Sequence, residues 1–347
     1  MRLLVFEFIT GGGLIGAPLP PSLLREGGMM RDALLADVAD FSEVAVSLTR
    51  DPRCAWPQSN GAMKRIEPRI DEDGMTLYQR ALADVDAVWP IAPESDHALA
   101  QLAALARTAG KMVMLSDAAT LAICASKYAT ARVLRAAGVN VVPTFRASDP
   151  LASWPGPWVS KRDDGAGGEG MRLWPNRSAA LQALFSDSQY PGAGLGPPGG
   201  LGPCVIQPWC PGENLSLSLF CGNGAALLLA VNRQHVSWHH NGVALDGLSV
   251  NAIPRETENF QALARQIAQA LPGLWGYIGV DVIRSEAGAL TVLEINPRLT
   301  TSYCGLRDAL GINVAKLALQ QMQNDVPPVL ECTRDRAVQL DFSIVHA

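Results

Sequence analysis

The chain has 347 residues, 48% of them hydrophobic and 18% charged, with a formal net charge of −5. That length allows two or three domains with a sizeable core. The acidic balance, without any block of lysine or arginine, excludes sequence-independent nucleic-acid binding.

Residues 1–6 form a short apolar run that Glu7 interrupts, which reads as a buried strand rather than a signal peptide or membrane span. Strand patterns follow over 3–9, 43–48, 87–91 and 111–115, and helical patterns over 23–40 and 97–109. This alternation predicts an α/β domain with a parallel sheet and crossover helices over 1–115. Loops at strand ends in such sheets carry binding residues, and 10–13 and 92–95 occupy two of them. Residues 116–138 read as helical and carry Lys127, with Gly138 as the stop. Residues 139–145 are extended, and 158–161 form a strand bearing Lys161. Every residue of 191–203 is Gly, Pro, Ala or Leu, which predicts a flexible loop. Strands over 204–209, 215–221 and 226–232, a helix over 258–271, a hairpin, a helix over 311–322 and a strand over 337–345 complete the chain. The expected division is 1–115, then 116–325 in α+β form, with a small lobe over about 140–212 and a large lobe over about 213–325. Residues 326–347 are expected to add a strand to the large lobe.

The hairpin carries the sharpest signal. Two β-branched segments, 277–283 and 291–296, flank a polar turn containing Gly288. Its length sets Asp281 opposite or nearly opposite Glu294, and Asn296 shares a face with Glu294. Facing carboxylates repel and destabilise a strand pair unless a proton or a cation intervenes. Two acids and an amide oxygen suit magnesium, which keeps room for substrate phosphates. Arg298 follows at once, placed to neutralise a moving phosphate.

Other segments are weaker. Gly165, Gly167, Gly168 and Gly170 follow the strand bearing Lys161, and such a loop lets backbone N–H groups approach phosphate oxygens. An ordinary hairpin turn has the same composition. At 204–213 a strand enters a bend; Gln207, Trp209 and Cys210 can line an adenine or simply a core, and Glu213 can hold a ribose hydroxyl. Gly11–Gly16 matches GxGxxG, but the prolines at 18, 20 and 21 exclude the helix that a dinucleotide site needs there. His235, His239 and His240 lie in a strand-and-turn context and read as structural. Arg233, at the end of the preceding strand, is expected to share a cleft with Arg298, with a surface ion pair as the alternative. Seven cysteines (Cys54, Cys124, Cys204, Cys210, Cys221, Cys304, Cys332) show no CxxC spacing and read as reduced thiols of a cytoplasmic protein. No GxSxG, Cys–His or Walker pattern supports covalent catalysis.

Together, Ser126-Lys127, 158–161 with 164–170, 207–213, Asp281 and 294–298 resemble the ATP-grasp superfamily, with 1–115 as its preceding α/β domain. The resemblance implies ATP held between two α+β lobes. It implies Lys127 and Lys161 on phosphates, the 207–210 backbone on adenine, Glu213 on ribose, and Asp281, Glu294 and Asn296 on Mg2+, with Mn2+ as the alternative. Gln207 departs from the pattern, since many relatives carry an acid there. A closer likeness, over 7–13, 25–27, 92–94 and 296–303, is to the tyramine–glutamate ligases of methanofuran biosynthesis and their methylotroph relatives. That likeness implies an acid and an amine joined through an acyl phosphate, with Arg298 and Arg233 stabilising transferred charge. The acceptor pocket is expected from Glu7, Gly12, Glu94, Ser95, Thr301 and Tyr303. The expected partners are small-molecule acid and amine substrates, with no nucleic acid and no membrane; a homodimer is left open. The rival readings are another ATP-grasp ligase of dipeptide or D-alanine type, an NAD-dependent oxidoreductase and a non-catalytic ATP-binding protein.

Overall fold

The computed structural model describes residues 1–58, 63–150, 154–168, 170–185, 204–239, 242–254, 258–323 and 330–342. The first sheet is built from β1 (Arg2–Glu7), α1 (Pro21–Val38), β2 (Ala45–Thr49), β3 (Met63–Ile66), α2 (Gly74–Leu82), β4 (Ala87–Ile91), α3 (Ala98–Thr108) and β5 (Met112–Val113). Its strand order is β3-β2-β1-β4-β5, all parallel. β1 is apolar on both faces because both are covered. Leu3 and Val5 pack with Met30 and Leu34 of α1, while Leu4 and Phe6 pack with Leu77 of α2 and Leu102 of α3. β3 and α2 were not expected, although Asp73 caps α2 by accepting from the N–H of Met75 and Thr76. The prolines before α1 exclude helix only up to Pro20, and Pro21 is itself the first helical residue, where a missing N–H costs nothing.

The helical stretch expected over 116–138 is two helices, α4 (Ala118–Cys124) and α5 (Lys127–Ala136). Ser126 caps α5 by accepting from Ala129 N, so the break sets Lys127 in the first turn of α5. A small antiparallel sheet, order β7-β6-β8, comprises β6 (Trp158–Arg162), β7 (Arg172–Trp174) and β8 (Cys204–Pro208), with α6 (Arg177–Phe185) against it. The glycine- and proline-rich loop expected over 191–203 lies outside the described residues.

A six-stranded antiparallel sheet dominates the rest: β9 (Glu213–Gly222), β10 (Ala225–His239), β11 (Gly242–Ile253), α7 (Glu258–Ala270), β12 (Gly276–Arg284), β13 (Leu290–Asn296), α8 (Tyr303–Leu310), α9 (Val314–Gln323) and β14 (Val338–Asp341). The order is β13-β12-β9-β10-β11-β14. Alternation assigns its faces. Leu215, Leu217, Leu219, Val280 and Val282 pack on α7 through Phe260, Leu263 and Ile267. The residues between them, such as Ser216 and Asp281, face the other way, and both line a cavity. Among the described residues no helix is long and apolar enough to cross a membrane.

The triplet Gly11–Gly13 is a packing device. Gly12 has φ +104°, and α2 starts so close to it that a Cβ on Gly74 would stand 2.3 Å from the Gly12 carbonyl oxygen. Backbone cannot yield cheaply, so Gly74→Ala is expected to destabilise the chain by roughly 1–3 kcal/mol, measured by denaturant unfolding.

Candidate active site

Register sets Asp281 against Glu294 across β12 and β13. The pairing shifts after Asp281, so that Val282 meets Val292. The extra residue this leaves on β13 lets Leu293 and Glu294 both line the cavity, and such bulges re-aim side chains beside functional sites. Asp281 accepts from Gln234 Nε2 at 2.9 Å and from Asn296 Nδ2 at 3.3 Å. Burial and the neighbouring Glu294 carboxylate raise its pKa. Burial also works against the Glu294 charge, but Lys127 and Lys161 outweigh it and hold that carboxylate below its ordinary range.

The two lysines come from different elements. Lys127 Nζ lies 3.1 Å from Glu294 Oε2 and donates to the Gly165 carbonyl at 2.5 Å. Asp163 fixes its position by accepting from Ser126 Oγ at 2.7 Å and from Tyr128 N at 2.8 Å. Lys161, on β6, is only 5% exposed, and no described residue hydrogen-bonds its ammonium. Burial is the main force pulling its pKa down to about 8, with Lys127 adding to it, while Glu294 and Asp281 oppose the fall.

These groups line one cavity of about 240 Å³. Its apolar slot is formed by Val142, Val159, Ile283 and Leu293, beside the strand end Pro208–Trp209–Cys210. The glycine loop closes one side, and Gly168 is held near the start of β11, where a Cβ would stand 3.2 Å from the Val243 carbonyl oxygen. The hairpin β10–β11, against which that loop packs, lines the cavity through Val236, Trp238, Val243, Leu245 and Leu248. Trp238 meets Trp209 edge to face at 5.1 Å between centroids.

Of the residues singled out from sequence, Lys127, Lys161, Gly165, Gly167, Gly168, Gln207, Trp209, Cys210, Asp281, Glu294, Asn296, Arg298 and Thr301 line this cavity. The side chain of Gln207 donates to Thr144 Oγ1 at 2.9 Å. The others lie elsewhere. Arg233 does not share the cleft with Arg298: its Nε donates to Glu213 Oε1 at 2.6 Å, and Arg284 takes the other Glu213 oxygen. Glu213 is thus engaged by two arginines and does not line the cavity. Gly12 serves the packing of α2, and Tyr303 donates its hydroxyl to Asp37 Oδ2 at 2.6 Å, inside the contact between α8 and α1. Ser95 is buried at the start of a short 3-10 turn. Glu94 accepts from Arg298 Nε at 2.9 Å and Nη2 at 2.8 Å, so it orients Arg298. Glu7 accepts from Ile9 N, Thr10 N and Thr10 Oγ1 and lines a smaller adjoining recess. Gly170 is outside the lining. His235 sits on β10 and contacts Ser249 Oγ at 2.7 Å, in line with a structural role.

The sequence reading missed Met30, Gln234, Asn214 and Ser216, which line the cavity, whereas Glu26, Thr300 and Ser302, which also line it, fall in the 25–27 and 296–303 segments already noted. Alternation pointed to Gln234 once Val236 and Trp238 were read as one strand, because the three share a face.

A divalent cation and a polyphosphate fit this donor set. Asp281 and Glu294 face each other at a distance where one repels the charge of the other. Asn296 adds an amide oxygen that no described residue hydrogen-bonds. Lys161 presents a buried cation that, among the described residues, has no anionic partner in contact, and such a charge calls for an anion.

The ATP-grasp domain model matches residues 124–302, more than half of the chain, and the pre ATP-grasp 3 domain model matches 44–121. The tyramine–L-glutamate ligase of Methanocaldococcus jannaschii is 24% identical over 93% of this chain and 90% of its own length. That of Methanocaldococcus fervens is 25% identical over 93% and 94%. The crystal structure of an ATP-grasp superfamily protein from Archaeoglobus fulgidus superposes with a TM-score of 0.69 at 24% identity, covering 98% of this chain and 92% of that one.

The buried ammonium of Lys161 has a stability consequence. Its folded pKa lies near 8, below the unfolded value of about 10. It therefore costs stability at neutral pH, and the cost fades as pH rises through that window. Lys161→Met is expected to raise the thermal midpoint of the nucleotide-free protein at pH 7 by a few degrees, with the gain shrinking toward pH 10. Scanning calorimetry across pH checks both.

Proposed function

The chain belongs to the ATP-grasp family and is a carboxylate–amine ligase, and we propose that it joins glutamate to an aromatic amine such as tyramine or tyrosine, in a methanofuran-type biosynthetic route. The observation that carries the reading is the convergence of Lys127, Lys161, Asp281 and Glu294 on one cavity with an apolar slot at one end. What supports the substrate pair is the name borne by two relatives that align over nearly the whole chain. The domain division follows the same reading. Residues 1–115 carry part of the acceptor end, 116–325 hold the nucleotide, and β14 extends the large sheet on β11.

In this proposal the slot of Val142, Val159, Ile283 and Leu293 takes the adenine against the 208–210 backbone. Lys127 and Lys161 hold the phosphates, and the Gly165–Gly168 backbone covers them. Asp281, Glu294 and Asn296 are the residues that would hold Mg2+, which when bound spreads the charge of the transferring phosphoryl group. The substrate carboxylate attacks the γ-phosphorus, the bond to ADP breaks, and an acyl phosphate forms. The amine nitrogen then attacks the acyl carbon, the bond from that carbon to the phosphate oxygen breaks, and phosphate and a proton leave. Arg298, fixed by Glu94, presents its remaining N–H edge to the charge that develops in both steps. Glu213 and Arg233 form an ion pair outside this constellation, so neither is assigned a part in the chemistry.

Mass spectrometry of mixtures of ATP, magnesium, glutamate and a panel of aromatic amines tests the substrate pair. Equimolar ADP, phosphate and an amide are expected, and turnover only with a different acid would overturn it. Glu294→Gln is expected to reduce ADP formation by at least about a thousandfold with the circular dichroism spectrum unchanged, since a metal-holding carboxylate supplies several kcal/mol. Lys161→Met is expected to abolish the rise in melting temperature that magnesium and ATP give the parent protein.

A further inference from the structure

Past Arg298 the cavity continues into a recess of about 60 Å³ beneath α1. Glu26, Met30, Gly167 and Arg298 line both spaces. Glu26 and Met30 are one helical turn apart, so they share a face of α1. Met30 belongs to one apolar cluster with Leu248 and Leu245 of β11, which also line the main cavity. This end is therefore an apolar wall with a carboxylate set beside it.

That carboxylate is not spoken for. No described residue hydrogen-bonds or ion-pairs with Glu26. Burial raises its pKa, while Arg298 and Arg25 oppose the rise through space. The neighbouring acids are engaged: Glu7 caps its own turn and has Gly27 packed on it, where a Cβ would stand 2.5 Å from Glu7 Oε1. Glu94 holds Arg298. A half-buried anion beside hydrocarbon selects an organic cation with an apolar body.

We propose that this end of the cavity is the subsite of the amine substrate, with Glu26 as counter-ion of the incoming ammonium and Met30, Leu245 and Leu248 as the wall for its apolar body. The inference rests on the ligase reading above. Glutamate suits the subsite poorly, because its carboxylates are repelled by Glu26 and it has no apolar body to set on the wall. Arg298 lines both spaces, so an ammonium held at Glu26, once it has given one proton to that carboxylate, is placed to attack the activated carbon as the neutral amine.

The test measures initial rates of ADP release by the full-length protein with glutamate and tyramine. Glu26→Gln is expected to raise the KM for tyramine by about tenfold or more, as loss of a partly buried charge partner does. The KM values for ATP and glutamate should stay within about twofold, and Glu26→Asp should restore part of the loss. A second measurement needs no variant: calorimetric titration should give tyramine about tenfold tighter binding than 4-ethylphenol, which keeps the ring and lacks the ammonium. An unchanged tyramine KM in Glu26→Gln, an equal rise for all three substrates, or equal affinity for the two ring compounds overturns the subsite and leaves the ligase reading standing. A parent protein inactive on every acid–amine pair overturns the ligase reading itself.

Discussion

Two carboxylates held face to face on a β-ribbon organise this molecule. Asp281 and Glu294 are paired by register, and a strand pair does not tolerate that arrangement without compensation. Compensation arrives from three directions. Lys127 comes from the first turn of α5, Lys161 from β6 of the small sheet, and the amides of Gln234 and Asn296 from β10 and β13. Each of those elements must be in place for the acids to be accommodated. Asp163 ties the start of α5 to the end of β6 through Ser126 and Tyr128. The glycine loop that follows is anchored at its base by Arg162, which pairs with Asp164 and with Asp96 of the first domain. Charge compensation at one ribbon thus fixes how the small sheet, the large sheet and the parallel sheet meet.

The balance inside the site is deliberately incomplete. Glu294 is held ionised by two lysines, yet among the described residues Lys161 has no hydrogen-bonding partner, and Asp281 has a raised pKa. A fully neutralised cluster would be a structural ion-pair network and would offer nothing to a ligand. Here, among the described residues, one ammonium has no hydrogen-bonding partner and one buried acid faces another acid. In the proposed reading a polyphosphate and a divalent metal relieve that imbalance, which otherwise lowers the stability of the free protein.

Much of this was legible in the sequence because the relevant signals are local. The hairpin length fixes Asp281 against Glu294, and strand alternation fixes Asn296 on the same face. The prolines after Gly16 delay the helix to Pro21, where α1 starts. The parallel order of the first sheet follows from alternating strand and helix patterns. What failed was non-local. Nothing near Glu213 says that Arg233 and Arg284, from two neighbouring strands, converge on it and occupy both oxygens. Gly12 resembled a binding loop residue because the helix that packs on it begins at Gly74, some sixty residues away. Short elements such as β7 and α8 carry too few residues for a period to emerge, and β10 continues to His239 through polar residues that hide its alternation. The bulge at Leu293 was likewise invisible, since one extra residue in a strand leaves no compositional mark.

Glu26 and Met30 show why the acceptor end is the part hardest to read. The residues proposed to face the nucleotide lie between Lys127 and Arg298, within the stretch that the ATP-grasp domain model covers. The other wall is assembled from α1, which the chain reaches about 270 residues before α8, and Tyr303 and Arg307 of α8 hold it through Asp37. The matched ATP-grasp block is contiguous, whereas the end proposed to take the amine is assembled by a contact between distant segments. In the proposed reading α1 bears on the amine and not on the acid pair or its lysines. The acid pair is set by the register of one hairpin, whereas α1 is held by contacts with the distant α8, so the two ends of the cavity are free to vary separately.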